Sequence, residues 1–353
     1  MSGWRIWALL LAAASAQATE LPQQLAACGR LADAKLRLAC YDGLNASLPV
    51  APESASGLPP AVIPQPDRPL LADGGAQPDT APAPSRLAEA WDLDGRSRGE
   101  TFGFRLYRPN YYLPVWQMAK PNNEPQSPTR PPSQTPGGDL DKTEVKFQLS
   151  FKTKVWEDIF DSPLNLWFAY TQQSHWQIYN KAHSAPFRET DYEPELILTF
   201  PLPSNWAWGD TRLRMGGLGL LHQSNGRANP LSRSWNRVYA MAALDNGPFT
   251  LQGRWWARLP ESGDQDDNPD IVKYMGRGDL QAIYQYRGQT FSAMWRPNFD
   301  SGKHGLQLDW SFPLRGKLRG YVQAFDGYGE NLIDYNVRTR ALGFGLTMSD
   351  WLE

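Results

Sequence analysis

No uninterrupted apolar stretch in this chain is long enough to cross a bilayer as a helix. The longest, Ile6 to Ala14, falls well short of the ~20 residues such a helix needs. A helical membrane protein is therefore excluded. The chain also lacks an excess of either charge: 35 basic residues stand against 37 acidic ones, for a net charge of -2. A concentrated basic patch is the footprint of nucleic-acid binding, so no nucleic-acid partner is expected. Only two cysteines and four histidines are present. What the chain does have, with 41% hydrophobic and 20% charged residues, is the balance of a folded body. It also has 15 Trp, 14 Tyr and 14 Phe, an aromatic load that calls for a reason.

At the N-terminus, Arg5 precedes the apolar run, which ends in Ala16-Gln17-Ala18. Charged, apolar and small-residue parts in that order predict a signal peptide over residues 1–18, with a mature chain from Thr19; a buried N-terminal helix is the alternative. Export places Cys28 and Cys40 in an oxidising compartment. Within a helix-favouring stretch they predict a local disulfide closing a small helical hairpin over 19–45, with a metal site the weaker alternative. Residues 46–100, dominated at first by Pro, Ala, Gly and Ser, are expected to form a linker. The body is assigned to 101–353.

That body is written in period two. Val145-Lys146-Phe147-Gln148-Leu149-Ser150-Phe151-Lys152 alternates without error, apolar on one face and polar on the other. Similar segments recur to the end of the chain, among them Leu196-Leu198-Phe200, Leu306-Leu308-Trp310-Phe312 and Leu342-Phe344-Leu346-Met348. Two architectures fit: a soluble sandwich or barrel with its apolar face inward, and an outer-membrane barrel with its apolar face outward. Export, Trp and Tyr near strand ends, and polar faces rich in Gln, Arg and Lys favour the second. Counting Tyr112 to Trp116 and the stretch around Gln173 to Tyr179 gives about a dozen segments, and a single-chain barrel takes an even number. The fold expected is all-β, a twelve-stranded antiparallel transmembrane barrel whose interior side chains can largely fill.

One of the four histidines has a suggestive neighbourhood, His222-Gln223-Ser224-Asn225-Gly226-Arg227. Residues two apart on a strand share a face, so His222 and Ser224 stand side by side. Leu218 and Leu220 are in phase with them, which turns the pair toward lipid. In the next segment Asn236, Val238 and Ala240 share a face by the same rule. If the two strands form a hairpin, Asn236 can accept from His222 Nδ1–H and leave Nε2 to take a proton from Ser224. The Gly226 backbone could then offer an N–H to an oxyanion. The bland alternative is a polar loop beside an interfacial histidine.

These residues carry a resemblance. The chain resembles the outer membrane phospholipase A family across roughly Gly103 to Asp350. The matching segments include Pro186 to Pro194, the His222 run, Ser232 to Arg237, Asp266 to Asp270 with Lys273 to Gly276, and Gly327 to Asn336. The resemblance implies a twelve-stranded barrel hydrolysing acyl esters of phospholipids and lysophospholipids, with calcium (Ca2+) required and homodimerisation as the switch. Carried over by position, it implies Ser224 as nucleophile, His222 as general base, Asn236 as its orienting partner and the Gly226 amide as part of the oxyanion hole. It further implies a calcium site from the Arg227 carbonyl, the Ser232 hydroxyl and the Ser184 carbonyl of the other subunit, with Asp267 tied to a calcium site in the monomer. Gln172 matches a polar residue that pairs with its symmetry mate in the dimer.

Two positions depart from the pattern: Asn229 stands where the family usually carries Asp, and the chain ends Asp350-Trp351-Leu352-Glu353 instead of on an aromatic residue. The rival expectation is a non-catalytic barrel, either a pore or a scaffold.

Overall fold

The computed structural model describes residues 28, 30, 33, 35, 36, 40, 85–94, 100–134, 138–263 and 265–352. The chain divides into two compact units, Met1–Pro78 and Asp79–Glu353. In the first, Cys28 and Cys40 are disulfide-bonded with their Cα atoms 5.6 Å apart. The signal peptide, most of the hairpin expected over 19–45 and the linker as far as residue 84 lie outside the described residues.

In the second unit the alternating segments form one antiparallel sheet. Its long members are β2 (Tyr111–Met118), β3 (Thr143–Trp156), β4 (Asn165–Trp176), β5 (Phe187–Pro201), β7 (Thr211–Ser224), β8 (Ser234–Asn246) and β9 (Phe249–Arg258). β10 (Gly278–Tyr286), β11 (Gln289–Asn298), β12 (Lys303–Arg315), β13 (Leu318–Gly327) and β14 (Thr339–Thr347) complete it. Each pairs with the next, and β14 pairs back onto β2, so the twelve strands close on themselves. Closure leaves the twelve-stranded wall without a free edge, which is what makes a sheet tolerable in hydrocarbon. At the seam β14 approaches β2 so closely that a Cβ on Gly345 would lie 2.0 Å from the Tyr112 carbonyl oxygen. Only glycine fits there. Two short strands are appended, β1 (Phe104–Leu106) on β3 and β6 (Ala207–Trp208) on β7.

The two faces divide as the period demands. On β3, Glu144, Lys146, Gln148, Ser150, Lys152 and Lys154 are buried in the lumen, while Leu149 on the other face is exposed. Leu196, Leu218, Trp255, Phe291, Leu308 and Phe344 are likewise exposed on the outer wall. Hydrophobic side chains outside and charges inside invert a soluble core, and lipid supplies the apolar partner.

Several buried charges in the lumen are paired, as low dielectric requires, while Lys152 instead sets its ammonium 3.3 Å over the Trp91 ring. Arg188 Nε and Nη2 donate to Glu144 at 2.9 and 2.8 Å, and its Nη1 donates to Asp334 at 2.6 Å. Lys146 Nζ lies 2.7 Å from Glu330 and donates to Gln323. Next to Glu330 the lumen holds a cavity of about 130 Å³ lined also by Arg108, Arg237, Arg254, Asp191 and Asp279, among others. At roughly 30 Å³ per water, it holds a few waters.

Two sequence expectations are corrected. The linker does not run to residue 100: Arg86–Trp91 forms a helix, α1, inside the barrel unit. Ser85 caps it, its Oγ accepting from Ala88 N, and Asp92 ends it in the left-handed region. Leu87, Ala88 and Trp91 are buried, with Trp91 packed edge-on against Trp167 and Tyr107. Ser85 also meets Asp245 near the finish of β8, so α1 closes the end of the barrel remote from Ser224. Compositional bias hid this short helix, because its four apolar residues follow directly on the Pro-rich stretch. The stretch from Gln173 to Tyr179 is not a separate strand either. It continues β4 as far as Trp176 and then turns into a loop.

Candidate active site

The residues of interest sit where β7 and β8 leave the membrane wall. β7 and β8 pair with His222 directly opposite Asn236 and Ser224 opposite Ser234. That register, set by the continuous ladder from Leu221↔Arg237 back to Met215↔Ala243, brings the two side chains together on the outer face. His222 Nδ1 lies 2.8 Å from Asn236 Oδ1. Since the amide oxygen can only accept, the imidazole carries a proton on Nδ1 in this arrangement, which leaves Nε2 to another partner. Ser224 follows two residues on, on the same face, with Tyr192 of β5 on its other flank. His222 is exposed, and its wall neighbours Leu218, Leu220 and Val238 are 56%, 47% and 42% exposed. The group therefore opens toward acyl chains, not toward the lumen.

The loop from Asn225 to Arg233 is braced around one side chain. Asn225 Oδ1 accepts from Arg227 N at 3.3 Å and Arg233 N at 2.9 Å, and its Nδ2 donates to the Leu231 carbonyl. Gly226 adopts φ +62°, where an L side chain is disfavoured, and a Cβ there would meet Tyr192 Cε2 at 3.2 Å. The loop that follows Ser224 is therefore fixed in shape, with a left-handed glycine two residues beyond the hydroxyl.

The oxygen ligands named from sequence are brought together only in part. Ser232 Oγ donates to Asp267 Oδ2, joining two of them. The other Asp267 oxygen accepts from Arg130 Nε at 3.0 Å and from its Nη2. Arg227 directs its guanidinium away, to Glu189 and the Phe187 and Arg188 carbonyls. Ser184 lies in the loop between β4 and β5 at φ +60°, and no hydrogen bond joins it to Arg227, Ser232 or Asp267 among the described residues. Hydroxyl, carbonyl and carboxylate oxygens are the donors calcium prefers, so the set fits that ion in kind. No group of three or more His, Cys, Asp or Glu able to hold a metal occurs among the described residues.

Sequence reasoning missed two participants. Arg130 comes from the Pro-rich loop after β2, 137 residues away from Asp267. Glu261, just past β9, accepts from Asn236 Nδ2 at 3.0 Å. Arg130 reaches the site only through loop closure, and Glu261 because the β8–β9 pairing runs on past Arg237↔Arg258 through the Leu259 N–H to the Asn236 carbonyl.

A closed barrel with an apolar outside and a charged inside defines an outer-membrane β-barrel protein, here with its chemistry-bearing side chains on the lipid side. Residues 87–348 match the family model for phospholipase A1. A Neisseria meningitidis serogroup B protein with a provisional phospholipase A1 name is 40% identical over 347 residues, covering 92% of this chain and 90% of that protein. The phospholipase A1 of Escherichia coli K12 is 41% identical over 209 residues, 59% of this chain and 71% of that protein. An active-site mutant of outer membrane phospholipase A from Escherichia coli superposes with a TM-score of 0.65 at 33% identity, covering 75% of this chain and 98% of that one. The Salmonella typhi outer membrane phospholipase, solved as a dimer with bound calcium, gives a TM-score of 0.63 at 35% identity, covering 70% and 93%. The chain belongs to the phospholipase A1 family. It is an outer-membrane phospholipase.

Proposed function

We propose that this phospholipase cleaves the acyl esters of phospholipids and lysophospholipids, at either position, through Ser224, His222 and Asn236, as a calcium-dependent homodimer. The observation that carries the reading is the 2.8 Å contact between His222 Nδ1 and Asn236 Oδ1 on the lipid-facing wall, two residues from Ser224. In the step envisaged, Ser224 Oγ bonds to the ester carbonyl carbon while His222 Nε2 takes the hydroxyl proton. Asn236 holds the ring in that tautomer, and the Gly226 N–H donates to the oxyanion. Collapse breaks the ester C–O bond, and His222 returns the proton to the leaving alkoxide. Water then hydrolyses the acyl-serine by the same exchange, releasing the fatty acid.

Arg227 through its carbonyl, Ser232 through its hydroxyl and Ser184 of the partner subunit through its carbonyl would hold calcium, with Asp267 beside them. When bound there, the ion supplies positive charge next to the oxyanion. The Salmonella typhi relative, a dimer with bound calcium, supports both the metal and the assembly. Gln172 fits a dimer contact: it lies on the outer wall, bonded to Tyr170 at 3.1 Å and Ser174 at 3.3 Å, with donor capacity left for a symmetry mate. The ion-paired lumen argues against the rival reading as a pore.

The test is fatty-acid release by refolded protein, wild type against Ser224→Ala, with and without excess chelator. Release should vanish in the variant and in chelator while the barrel stays heat-modifiable. Undiminished release by Ser224→Ala would remove the nucleophile assignment, and full turnover in chelator would remove the metal.

A further inference from the structure

Asn236 is held from both ends of its amide. Oδ1 faces His222 Nδ1 at 2.8 Å, and Nδ2 donates to Glu261 Oε1 at 3.0 Å. An ionised carboxylate can only accept and an Nδ1–H can only donate, so a single orientation of the amide satisfies both neighbours. The flipped amide would set oxygen against carboxylate and NH2 against N–H. The segment that delivers Glu261 is tied to the same residue, since Leu259 N donates to the Asn236 carbonyl at 2.8 Å. Arg258 braces it further, with Nη2 lying 3.4 Å from Glu261 Oε2 and 2.7 Å from Asp266 Oδ1. Its Nη1 also donates to the Asn268 and Pro269 carbonyls.

A neutral asparagine stabilises a neighbouring imidazolium less than an aspartate does, but it spares the lipid-facing wall a bare carboxylate. The observed chain resolves that conflict: the negative charge sits one amide further out. Glu261 retains 16% of its side-chain exposure and has Arg258 on its second oxygen. Burial pushes its carboxyl above the usual carboxylate range, while Arg258 acts in the opposite sense. Hydrogen bonds in series polarise one another, so a carboxylate on Nδ2 makes Oδ1 a stronger acceptor for the proton on His222.

We infer that Glu261 is a positioning residue for phospholipid hydrolysis: it fixes the Asn236 amide and relays its charge to His222, forming a four-membered Ser224-His222-Asn236-Glu261 relay. The inference rests on the triad reading above. Glu261 touches no reacting atom, so its effect must travel through Asn236.

The test uses full-length refolded protein with calcium in mixed micelles of a dialkanoyl phosphatidylcholine, measuring kcat and KM. Glu261→Ala should lower kcat about tenfold with KM within about twofold, the scale of one charge-assisted hydrogen bond. Glu261→Gln, which keeps an acceptor but no charge, should recover only part of the loss, the remainder being the relayed charge; full recovery would overturn the charge relay. The decisive arm is the Asn236→Asp background, where two carboxylates would face each other with no N–H between them. There, Glu261→Ala should raise kcat. A merely structural role would lower activity equally in both backgrounds, and that result, or an unchanged kcat in Glu261→Ala, overturns the inference. If Glu261→Ala does not fold, Glu261→Gln carries the contrast, lowering kcat in the wild-type background and raising it in the Asn236→Asp background, where the charge repulsion is relieved. Ser224→Ala in parallel separates the two failures. Activity retained there sinks the triad itself, whereas an inactive Ser224→Ala beside an unaffected Glu261→Ala sinks only the relay.

Discussion

Replacing Gly226 with alanine sets two magnitudes against each other. The left-handed φ of +62° costs an L residue about 1–2 kcal/mol, and the new methyl would sit 3.2 Å from Tyr192 Cε2, asking that ring to give by a few tenths of an ångström. The backbone can relieve this by rotating out of the left-handed region, but then the 226 amide turns away from the orientation the proposed oxyanion role needs. Rotation would disturb the Asn225 brace, with its bonds to Arg227 N, Arg233 N and the Leu231 carbonyl, each contributing about 1 kcal/mol net. Three such bonds outweigh the strain, so the loop keeps its shape. Gly226→Ala should therefore lower unfolding stability by about 1–2 kcal/mol in urea titrations in detergent, while kcat falls less than about tenfold. Adding Asn225→Ala removes the brace, and the pair should lose a further factor of about 10² or more in kcat, the usual cost of a misplaced oxyanion donor. A hundredfold loss from Gly226→Ala alone, at unchanged stability, would refute the comparison.

Three other outcomes follow from the structure. Arg188→Leu strands Glu144 and Asp334, both buried in the lumen, and should cost about 3–5 kcal/mol in the same urea titration. Arg130→Ala frees the Asp267 oxygen that its guanidinium now occupies, so calcium titrated by calorimetry should bind several-fold more tightly. Reducing the Cys28–Cys40 disulfide should leave the barrel's unfolding midpoint and hydrolysis unchanged, because the pair lies in the other compact unit.

The parts of the fold that repeat locally were legible from the residues. Alternation on β3 identified Lys146, Gln148 and Lys152 as one face and Phe147, Leu149 and Phe151 as the other, and inversion of a soluble core followed from asking which face lipid would take. α1 was not legible, since six residues after a Pro-rich stretch carry too little periodicity to register. At the site, His222 and Ser224 were visible because they lie on one strand, and Asn236 because a hairpin places consecutive strands side by side. Asp267 and Ser232 were known only as separate positions until the loops folded over them.

The sequence by itself determined which faces of the strands are apolar, that the chain could not cross a membrane as helices, and that a His, a Ser and an Asn share one side of a hairpin. Those properties depend on spacing of two and on neighbouring strands. Only the tertiary structure decided that Glu261 completes the hydrogen bonding of Asn236, that Arg130 occupies Asp267, and that Arg188 joins Glu144 to Asp334 across the lumen. These pairs are 25 to 146 residues apart, and their meeting depends on loop closure and barrel register, which no local pattern encodes.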